Sequence, residues 1–422
     1  MELKPGYKLT EVGVIPEDWQ LTELPQVIWY QEGPGLRKWQ FTQKGLKVIN
    51  VTNLQDTGFL DLDKTDRYIS KEEFERTYKH FLIDENDFVM ASSGNSYCKT
   101  SLVRKCDLPL LMNTSVIRFK ALPGITSGFM QIYLKSKYLK EQIDLLITGG
   151  AQPNFGPAHL KKVFIPLPPN TEEQTAIANT LGDADALIQS LIRLITKKRQ
   201  IKQGAMQTLL NPYENGRLKE GWVVKKLGES CEMYSGGTPN TSVTAYYGGD
   251  IQWITSGDLN KGIITEVKGR ITKMGLTNSS AKTITRDTLL IALYGATSGV
   301  VAISKINAAI NQAVLAIIPD ESLKSVFLFY MLTYLKDWII ATYTQGGQPN
   351  LSGNILKSIE FYCPDVDEQA RIATTLSDMD TEIATLEAKL AKYRHIKQGM
   401  MQNLLTGRIR LAQPGSNAGA VA

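Results

Sequence analysis

The chain has 422 residues, of which 43% are hydrophobic, and its formal net charge is +5. This length suits two to four domains, and so large an apolar share excludes wholesale disorder. The mild positive charge permits a nucleic-acid partner without predicting one. No CxxC pair occurs among Cys98, Cys106, Cys231 and Cys363, which favours reduced thiols in a cytoplasmic protein.

Membrane insertion is not expected from the pattern of apolar residues. The opening stretch Met1–Thr10 lacks the apolar run of a signal peptide. The most apolar helix-like run, Val326–Ile340, is interrupted by Lys336 and Asp337. It is also shorter than the roughly 20 apolar residues that a membrane-spanning helix needs.

The first block, residues 1–168, combines β-rich runs such as VINVTNL and SVIRFK with one helix predicted at Phe129–Leu146, which indicates an α/β fold. Its loops EGPGLRKWQF, ASSGNSYCKT and GGAQPN are polar and rich in glycine. Such side chains read base edges and bind phosphates, although each loop taken singly is more often a simple turn. The candidate DNA-binding residues of this block are Arg37, Lys38, Ser92, Ser93, Asn95, Lys99, Gln152 and Asn154.

A long helix is predicted over residues 169–212. Its apolar residues alternate four and three positions apart, as in the heptads of a coiled coil. An N-cap at Asn170 or Thr171 starts the helix, and Asn211-Pro212 ends it. The seam of this first helix consists of Ile177, Leu181, Ala184, Ile188, Leu191 and Ile195.

The second block, residues 213–364, again combines β-rich runs (IQWITSGDL, LLIALYG and AVLAII) with one helix, predicted at Val326–Thr342. Its polar, glycine-rich loops are YSGGTPNTS, TSGDLNKG, LYGATSG and GGQPN. By the same argument as in the first block, they are candidates for contact with DNA. The candidate residues are Thr238, Asn240, Thr255, Ser256, Tyr294, Thr297, Ser298, Gln348 and Asn350.

A second long helix is predicted over residues 365–410, with an N-cap at Asp365 or Asp367 and a stop at Gly407. A disordered tail is expected over residues 411–422. The second seam consists of Ile372, Leu376, Met379, Ile383, Leu386 and Leu390.

The chain is an internal duplication. Glu368–Leu405 repeats Glu173–Leu210 without a gap, and about half of the aligned positions are identical. A GGxQPN-like turn occurs in both blocks, IPEDWQLTEL stands opposite LKEGWVVKKL, and NTSVIRF stands opposite NQAVLAI. The chain therefore contains two copies of a module made of one globular domain and one long helix.

The order of the modules predicts how the helices pair. A helix of about 38 residues is roughly 57 Å long. The second block leaves the end of the first helix and returns to the start of the second, and the termini of a domain usually lie close together. We therefore predict an antiparallel coiled coil with internal pseudo-twofold symmetry and one globular domain at each end. The alternative is that each helix packs only on its own domain.

Each long helix also carries a basic run. These runs are either a solvated helix face or a contact to the DNA backbone. They consist of Lys197, Lys198, Arg199 and Lys202 in the first helix, and of Lys389, Lys392, Arg394 and Lys397 in the second.

Signatures of catalysis are missing from the sequence. His80, His159 and His395 have no metal-ligand partner at helical or turn spacing, and no GxxxxGK[ST] loop occurs. The NPY tripeptide after the first helix resembles the Asn-Pro-Pro-aromatic motif of amino-methyltransferases, but it lacks the second proline and no glycine-rich cofactor loop accompanies it. We interpret it as a helix stop and predict neither catalytic residues nor a metal site.

The PEDW and EGW entries, the GGxQPN turns, the EQxxIAxxLxDxDxxI helix starts and the IKQGxMQxLL helix ends resemble the specificity subunit of type I restriction–modification systems over nearly the whole chain. The resemblance implies target-recognition domains at 1–168 and 213–364, each reading one half of a bipartite DNA target. It implies that the helices at 169–212 and 365–410 fix the spacing and dock the modification subunits.

The same resemblance implies a non-catalytic chain that binds double-stranded DNA, two modification (methyltransferase) subunits and, in the full complex, restriction subunits. S-adenosylmethionine, ATP and Mg²⁺ are then expected on those partners. Two other classes of function stay open: a single-chain methyltransferase–nuclease, and a coiled-coil scaffold that binds proteins without reading DNA. Selection on random-sequence duplexes separates the scaffold from a DNA reader.

Overall fold

A computed structural model of the protein describes residues 5–147, 153–344 and 350–411. The chain divides into two compact units. Unit 1 contains the residues up to Arg193 and those from Ala388 onward, and unit 2 is Leu194–Glu387. The predicted tail, apart from Leu411, lies outside the described residues.

The central feature of unit 1 is an antiparallel sheet of order β4-β10-β7-β8. A smaller sheet of order β6-β5-β9 lies beside it, and β1-β2 and β11-β3 form two-stranded sheets. The elements are β1 (Tyr7–Thr10), β2 (Gly13–Pro16), β3 (Gln20–Glu23), α1 (Leu24–Val27), β4 (Ile28–Glu32), β5 (Leu46–Ile49), β6 (Tyr68–Ile69), α2 (Lys71–Glu73), β7 (Phe88–Ala91), β8 (Thr100–Leu102), β9 (Leu110–Met112), β10 (Val116–Ala121), α3 (Ser127–Leu134), α4 (Lys137–Leu146), α5 (Pro157–Leu160) and β11 (Phe164–Leu167).

Both faces of the central sheet in unit 1 are covered, which explains why β7 is apolar throughout. Phe88 and Met90 pack with Phe129 of α3 on one face. Val89 and Ala91 pack on the other face, against the strand β9. Successive side chains of a strand point to opposite faces, so a strand buried on both sides has no polar positions.

The single helix predicted at Phe129–Leu146 is two helices in the structure. The helix α3 ends at Leu134, and Ser136 caps the start of α4 by accepting a hydrogen bond from the Leu139 backbone N–H. A serine at this position favours an N-cap over a helix interior. Apolar periodicity alone did not reveal the break.

Unit 2 repeats the design around a sheet of order β15-β23-β20-β21-β17. A second sheet has the order β18-β16-β22-β19, and β14-β24 and β12-β13 are two-stranded. Each of the two long helices has residues in both units. The remaining elements of the chain, beginning with the first long helix, are α6 (Thr171–Leu209), β12 (Tyr213–Glu214), β13 (Arg217–Leu218), β14 (Val223–Lys226), α7 (Leu227–Ser230), β15 (Cys231–Ser235), β16 (Tyr247–Ile254), β17 (Ile263–Ile264), β18 (Arg270–Ile271), α8 (Lys273–Thr277), β19 (Lys282–Ile284), β20 (Leu289–Ala292), β21 (Val301–Ser304), β22 (Ala308–Ile310), β23 (Val314–Pro319), α9 (Ser325–Tyr343), α10 (Gly353–Ser358), β24 (Glu360–Cys363) and α11 (Val366–Leu404).

The cores of the two units are built alike. In unit 2, Leu289 and Ile291 of β20 pack with Phe327 of α9, whereas Leu290 and Ala292 pack on the opposite face of the sheet. This is the arrangement of β7 between α3 and β9 in unit 1. The predicted α/β fold class with an internal repeat is therefore confirmed.

Side-chain caps decide where the two long helices begin. The Asn170 Oδ1 atom accepts a hydrogen bond of 2.7 Å from the Glu173 N–H, and Asp365 Oδ1 accepts one of 2.8 Å from the Glu368 N–H. Both are N-caps in the usual i to i+3 geometry. Of the alternatives left by the sequence, Asn170 and Asp365 are the capping residues.

The repeated glutamine after each cap ties its long helix to the helix that follows the last strand of the central sheet. Gln174 and Gln369 are buried, and their Oε1 atoms accept hydrogen bonds from the backbone N–H groups of Thr126 (2.8 Å) and Lys324 (2.9 Å). These two N–H groups lie at the starts of α3 and α9, where a helix leaves backbone donors unsatisfied. The EQ pair is thus repeated for a structural reason.

Within each unit, α6 and α11 run antiparallel. In unit 1 the start of α6 (Ile177 and Leu181) shares a core with the end of α11 (Leu404). In unit 2 the end of α6 (Met206) shares a core with the start of α11 (Leu376). The predicted antiparallel pairing is confirmed.

Two equivalent ion pairs fix the register of the helices. In unit 1, Lys397 Nζ lies 2.5 Å from Asp185 Oδ1, and in unit 2 Lys202 Nζ lies 2.5 Å from Asp380 Oδ1. Each lysine belongs to the repeated IKQG segment and each aspartate to the repeated DxD segment. Because each pair joins opposite ends of the two helices, it opposes parallel pairing.

The predicted seam residues differ in burial. Leu386 and Leu390 are half-buried. The buried seam residues are Ile177, Leu181, Ile188, Leu191, Ile195, Ile372, Leu376 and Ile383. The seam is therefore most strongly buried where it meets the globular cores.

Candidate nucleic-acid interface

One edge of the central sheet of unit 1 gathers the loops that the sequence singled out. The strands β4 and β7 end at this edge, and β10 and β8 begin there, because neighbouring strands are antiparallel. The segments 33–41, 92–99 and 113–115 connect to these strand ends. Residues 153–156 join them, since Ser93 pairs with Asn154. We call these four segments the loop edge of unit 1.

Unit 2 has an equivalent loop edge, formed by residues 236–246, 293–300, 311–313 and 350–353. The strands β15 and β20 end there, and β23 and β21 begin there. Tyr294 pairs with Asn350 as Ser93 does with Asn154 in unit 1. A fifth segment, 255–261, follows β16 at this edge, because the Asn311 N–H donates a hydrogen bond of 3.1 Å to the Ile254 carbonyl at the end of β16.

The loops 92–99 and 293–300 begin with the same backbone turn. Gly94 (φ +69°) and Gly295 (φ +74°) each open a short 3-10 turn in the left-handed region. Other residues are strained in that region, so both copies use glycine there. The two loops therefore share a backbone turn while most of their other side chains differ.

The described candidates of unit 1 are not equally accessible. Ser92 is buried, so its side chain is not presented to solvent. Lys99 lies 3.0 Å from Asp56 through Nζ, which neutralises part of its charge. Ser93 and Lys99 are half-buried, and Arg37, Lys38, Asn95 and Asn154 are exposed.

In unit 2, Ser298 is buried, and its Oγ donates to the Leu293 carbonyl (3.1 Å). Thr238 donates to Gln312, and Thr255 Oγ1 donates to Asp258 Oδ2 at 2.9 Å. Thr238, Thr255, Ser256 and Thr297 are half-buried, and Asn240, Tyr294 and Asn350 are exposed. Gln152 and Gln348 lie outside the described residues.

The loop 92–99 is attached to the helix α4 by a polar cluster. The Tyr97 hydroxyl donates to Asp144 and accepts from Lys140. The hydrogen bond to Asp144 raises the pKa of Tyr97 above its usual value. Burial raises the pKa of the neighbouring Cys98 thiol to about 12, so this group stays protonated at neutral pH.

Sequence reasoning missed two parts of the loop edges. The turns before β10 and β23 place Thr114 and Gln312 at exposed tips. The two residues occupy the same position in the matched segments NTSVIRF and NQAVLAI, so this match was the signal that could have indicated them. The second omission is Trp39, which is 77% exposed and directly follows the two cationic residues Arg37 and Lys38 of the loop 33–41.

The basic runs of the long helices are partly neutralised. Lys198 Nζ lies 2.7 Å from Glu382, and Arg199 is paired with Glu387. Lys202 and Lys397 form the register pairs described above. Four of the eight cations therefore face acidic groups of the other helix, which leaves them less available to a DNA backbone.

Among the described residues, no helix is long and apolar enough to cross a bilayer. No group of three or more His, Cys, Asp or Glu side chains in these ranges is placed to hold a metal ion.

Two stretches of the chain match one family profile, described as Type I restriction modification DNA specificity domain, at residues 16–203 and 219–393. The putative type I restriction enzyme MjaX specificity subunit of Methanocaldococcus jannaschii is 26% identical, over 96% of this chain and 97% of its own length. The type I restriction enzyme EcoKI specificity subunit of Escherichia coli K12 is 24% identical, over 94% of this chain and 90% of its own length.

A solved structure has the same fold. It is the type I restriction–modification system S subunit from M. genitalium, which aligns with a TM-score of 0.59 at 19% identity. The alignment covers 95% of this chain and 99% of that one.

Proposed function

The chain belongs to the family of type I restriction modification DNA specificity domains, and we propose that it is the DNA sequence-specificity subunit of a type I restriction–modification complex. The observation that carries this proposal is the pair of loop edges. Each presents exposed amide and hydroxyl groups on an equivalent backbone, and the loop edge of unit 1 adds the exposed cations Arg37 and Lys38, so the side chains differ between units.

Each loop edge reads one half of a bipartite DNA target. In unit 1, Arg37 and Lys38 supply charge for phosphates or guanine edges, and Asn95 and Asn154 supply amides for adenine edges. In unit 2, Asn240 and Asn350 supply amides and Tyr294 supplies a hydroxyl group for contacts with the bases. Ser92 and Ser298 do not contact the bases in this proposal, because their side chains are buried.

The chain carries out no reaction of its own. Methyl transfer and cleavage belong to two modification subunits and to restriction subunits, which bind S-adenosylmethionine, ATP and Mg²⁺. The antiparallel helices α6 and α11 act as the spacer that sets the distance between the two half-sites.

The first test is selection. A complex of this chain with its modification subunits is expected to enrich one bipartite motif from random-sequence duplexes.

The double variant Arg37→Ala/Lys38→Ala should weaken preference in one half only, and Asn240→Ala/Tyr294→Ala in the other, with roughly 1–3 kcal/mol lost for each well-made base contact. Equal changes in both halves would contradict the two-reader proposal, and methyl transfer by the isolated chain would contradict its non-catalytic role.

The docking of modification subunits on the helices is supported by residues that both copies keep although they lie on exposed parts of the helices. Ile201 and Ile396 are equivalent, and they are 47% and 42% exposed. Gly204 and Gly399 are also equivalent, and a Cβ atom at either would meet nothing within 4 Å. Glycine inside a helix costs about 0.5–1 kcal/mol relative to alanine. Packing within the chain does not explain this cost, so close approach of a partner to each helix is the better explanation.

The double variant Gly204→Leu/Gly399→Leu is therefore expected to stabilise the helices but to weaken binding of the modification subunits. Overpacking a tight contact costs about 1–3 kcal/mol, which corresponds to about 5- to 150-fold weaker binding. Titration calorimetry against purified modification subunit measures the change in binding affinity. Gly182→Leu is the matched control, because Gly182 lies on α6 but is matched by Ser377 on α11. Unchanged affinity of the double variant would place the docking surface elsewhere.

A further inference from the structure

Trp39 is the most exposed aromatic side chain among the described residues, with 77% of its surface accessible. It lies in the middle of a 3-10 turn, Lys38–Gln40, in the loop between β4 and β5. This loop belongs to the loop edge of unit 1. An indole that stays in water lacks the large favourable free energy of burial. A fixed, exposed tryptophan therefore indicates a contact surface.

The turn that carries Trp39 is held on both sides. The next residue, Gln40, is buried, and its Nε2 donates to Tyr78 Oη (2.9 Å) and Glu73 Oε1 (2.5 Å). The Oε1 atom of Gln40 accepts the backbone N–H of Arg37 at 2.8 Å.

The start of the loop is fixed as well. A Cβ atom at Gly33 would lie 2.3 Å from the Asn113 carbonyl oxygen, so only glycine permits this approach. Leu36 is buried in a small core with Val48 and Phe74. Trp39 is therefore presented by an ordered turn. Because this turn is already fixed, it loses little conformational entropy when a ligand binds to Trp39.

The neighbours of Trp39 indicate the class of ligand. Arg37 and Lys38 are exposed, and neither forms an ion pair within the described part of the chain. A protein partner with an apolar pocket does not require two cations beside the indole. Nucleic acid does, because its phosphates flank every base and every base offers a face for stacking.

Unit 2 shows that the fold itself does not need this tryptophan. The segment between β15 and β16 also contains a 3-10 turn, Thr244–Tyr246, and its middle residue is Ala245. The corresponding connection of unit 2 therefore contains no tryptophan.

Resting on the proposed function, we propose that Trp39 is a specificity-determining residue for the first half-site. Its indole stacks on a base that is unstacked from its neighbour in the duplex, while Arg37 and Lys38 bind the adjoining phosphates. The deformation favours base steps that unstack readily, so the first half-site is read partly through DNA deformability and the second is not read in this way.

The experiment uses the complex of the full chain with its modification subunits and the bipartite duplex obtained by selection. 2-Aminopurine is placed at successive positions of each half-site, and its fluorescence reports unstacking. We expect an increase on binding at one position in the first half-site only. Trp39→Ala should abolish this signal and weaken binding about 5- to 150-fold, as loss of one base–aromatic stack does, whereas Trp39→Phe should retain part of both.

Leu9→Ala is the control, because Leu9 is 71% exposed in the same unit but lies in β1. Thermal unfolding should be unchanged in all three variants, since each alters an exposed side chain. An unaltered affinity and 2-aminopurine signal in Trp39→Ala would overturn the proposal. So would loss of modification-subunit binding with half-site preference intact, because Trp39 would then contact protein. Failure of the wild-type complex to enrich any motif would instead refute the proposed function.

Discussion

Aspartate at Ile188 and Ile383 is expected to cause the largest loss of stability of any change considered for this chain. These residues are equivalent in the two helices, and they are 7% and 8% exposed. An unpaired carboxylate in such a position costs several kcal/mol, because no partner replaces its lost hydration. We expect the double variant to unfold at a much lower urea concentration and to lose its modification subunits in size-exclusion chromatography.

Leu187→Asp is the matched control for this prediction. Leu187 is adjacent to Ile188 but 36% exposed, and its counterpart in the second helix is already acidic, Glu382. The same charge one residue away should therefore change stability little. If the control and the double variant behaved alike, the seam would not be the source of the effect.

Inserting one heptad after Leu191 and one after Leu386 is expected to lengthen the DNA spacer without changing either half-site. Seven residues keep the seam in phase and add about 10 Å at 1.5 Å per residue. This length corresponds to roughly three base pairs at 3.4 Å per step. Modification assays on duplexes with graded spacers measure the shift.

A heptad in α6 alone serves as the control for the insertion. It leaves α11 unchanged, so the register pairs Asp185–Lys397 and Lys202–Asp380 cannot both form, and we expect loss of activity rather than a longer spacer. An active double insertion that keeps the original spacer would show that the helices do not set the distance.

The repeat made much of the architecture predictable. Periodicity over Ile177–Ile195 and Ile372–Leu390 is a local property, since a heptad seam needs no knowledge of distant contacts. The antiparallel arrangement followed from chain connectivity and is confirmed by Asp185–Lys397 and Lys202–Asp380. The break at Ser136 was not predicted, because a cap and an exposed helical serine look alike in a sequence.

The sequence by itself determined the duplicated modules, the α/β class and the chemistry of the loops, because composition, spacing and repetition are properties of the chain alone. Only the tertiary structure decided which loops meet. Ser93 and Asn154 are brought together by strand order, as are Tyr294 and Asn350. Accessibility was decided there too: Ser92 and Ser298 are buried while Trp39 is exposed, because burial depends on neighbours distant in sequence.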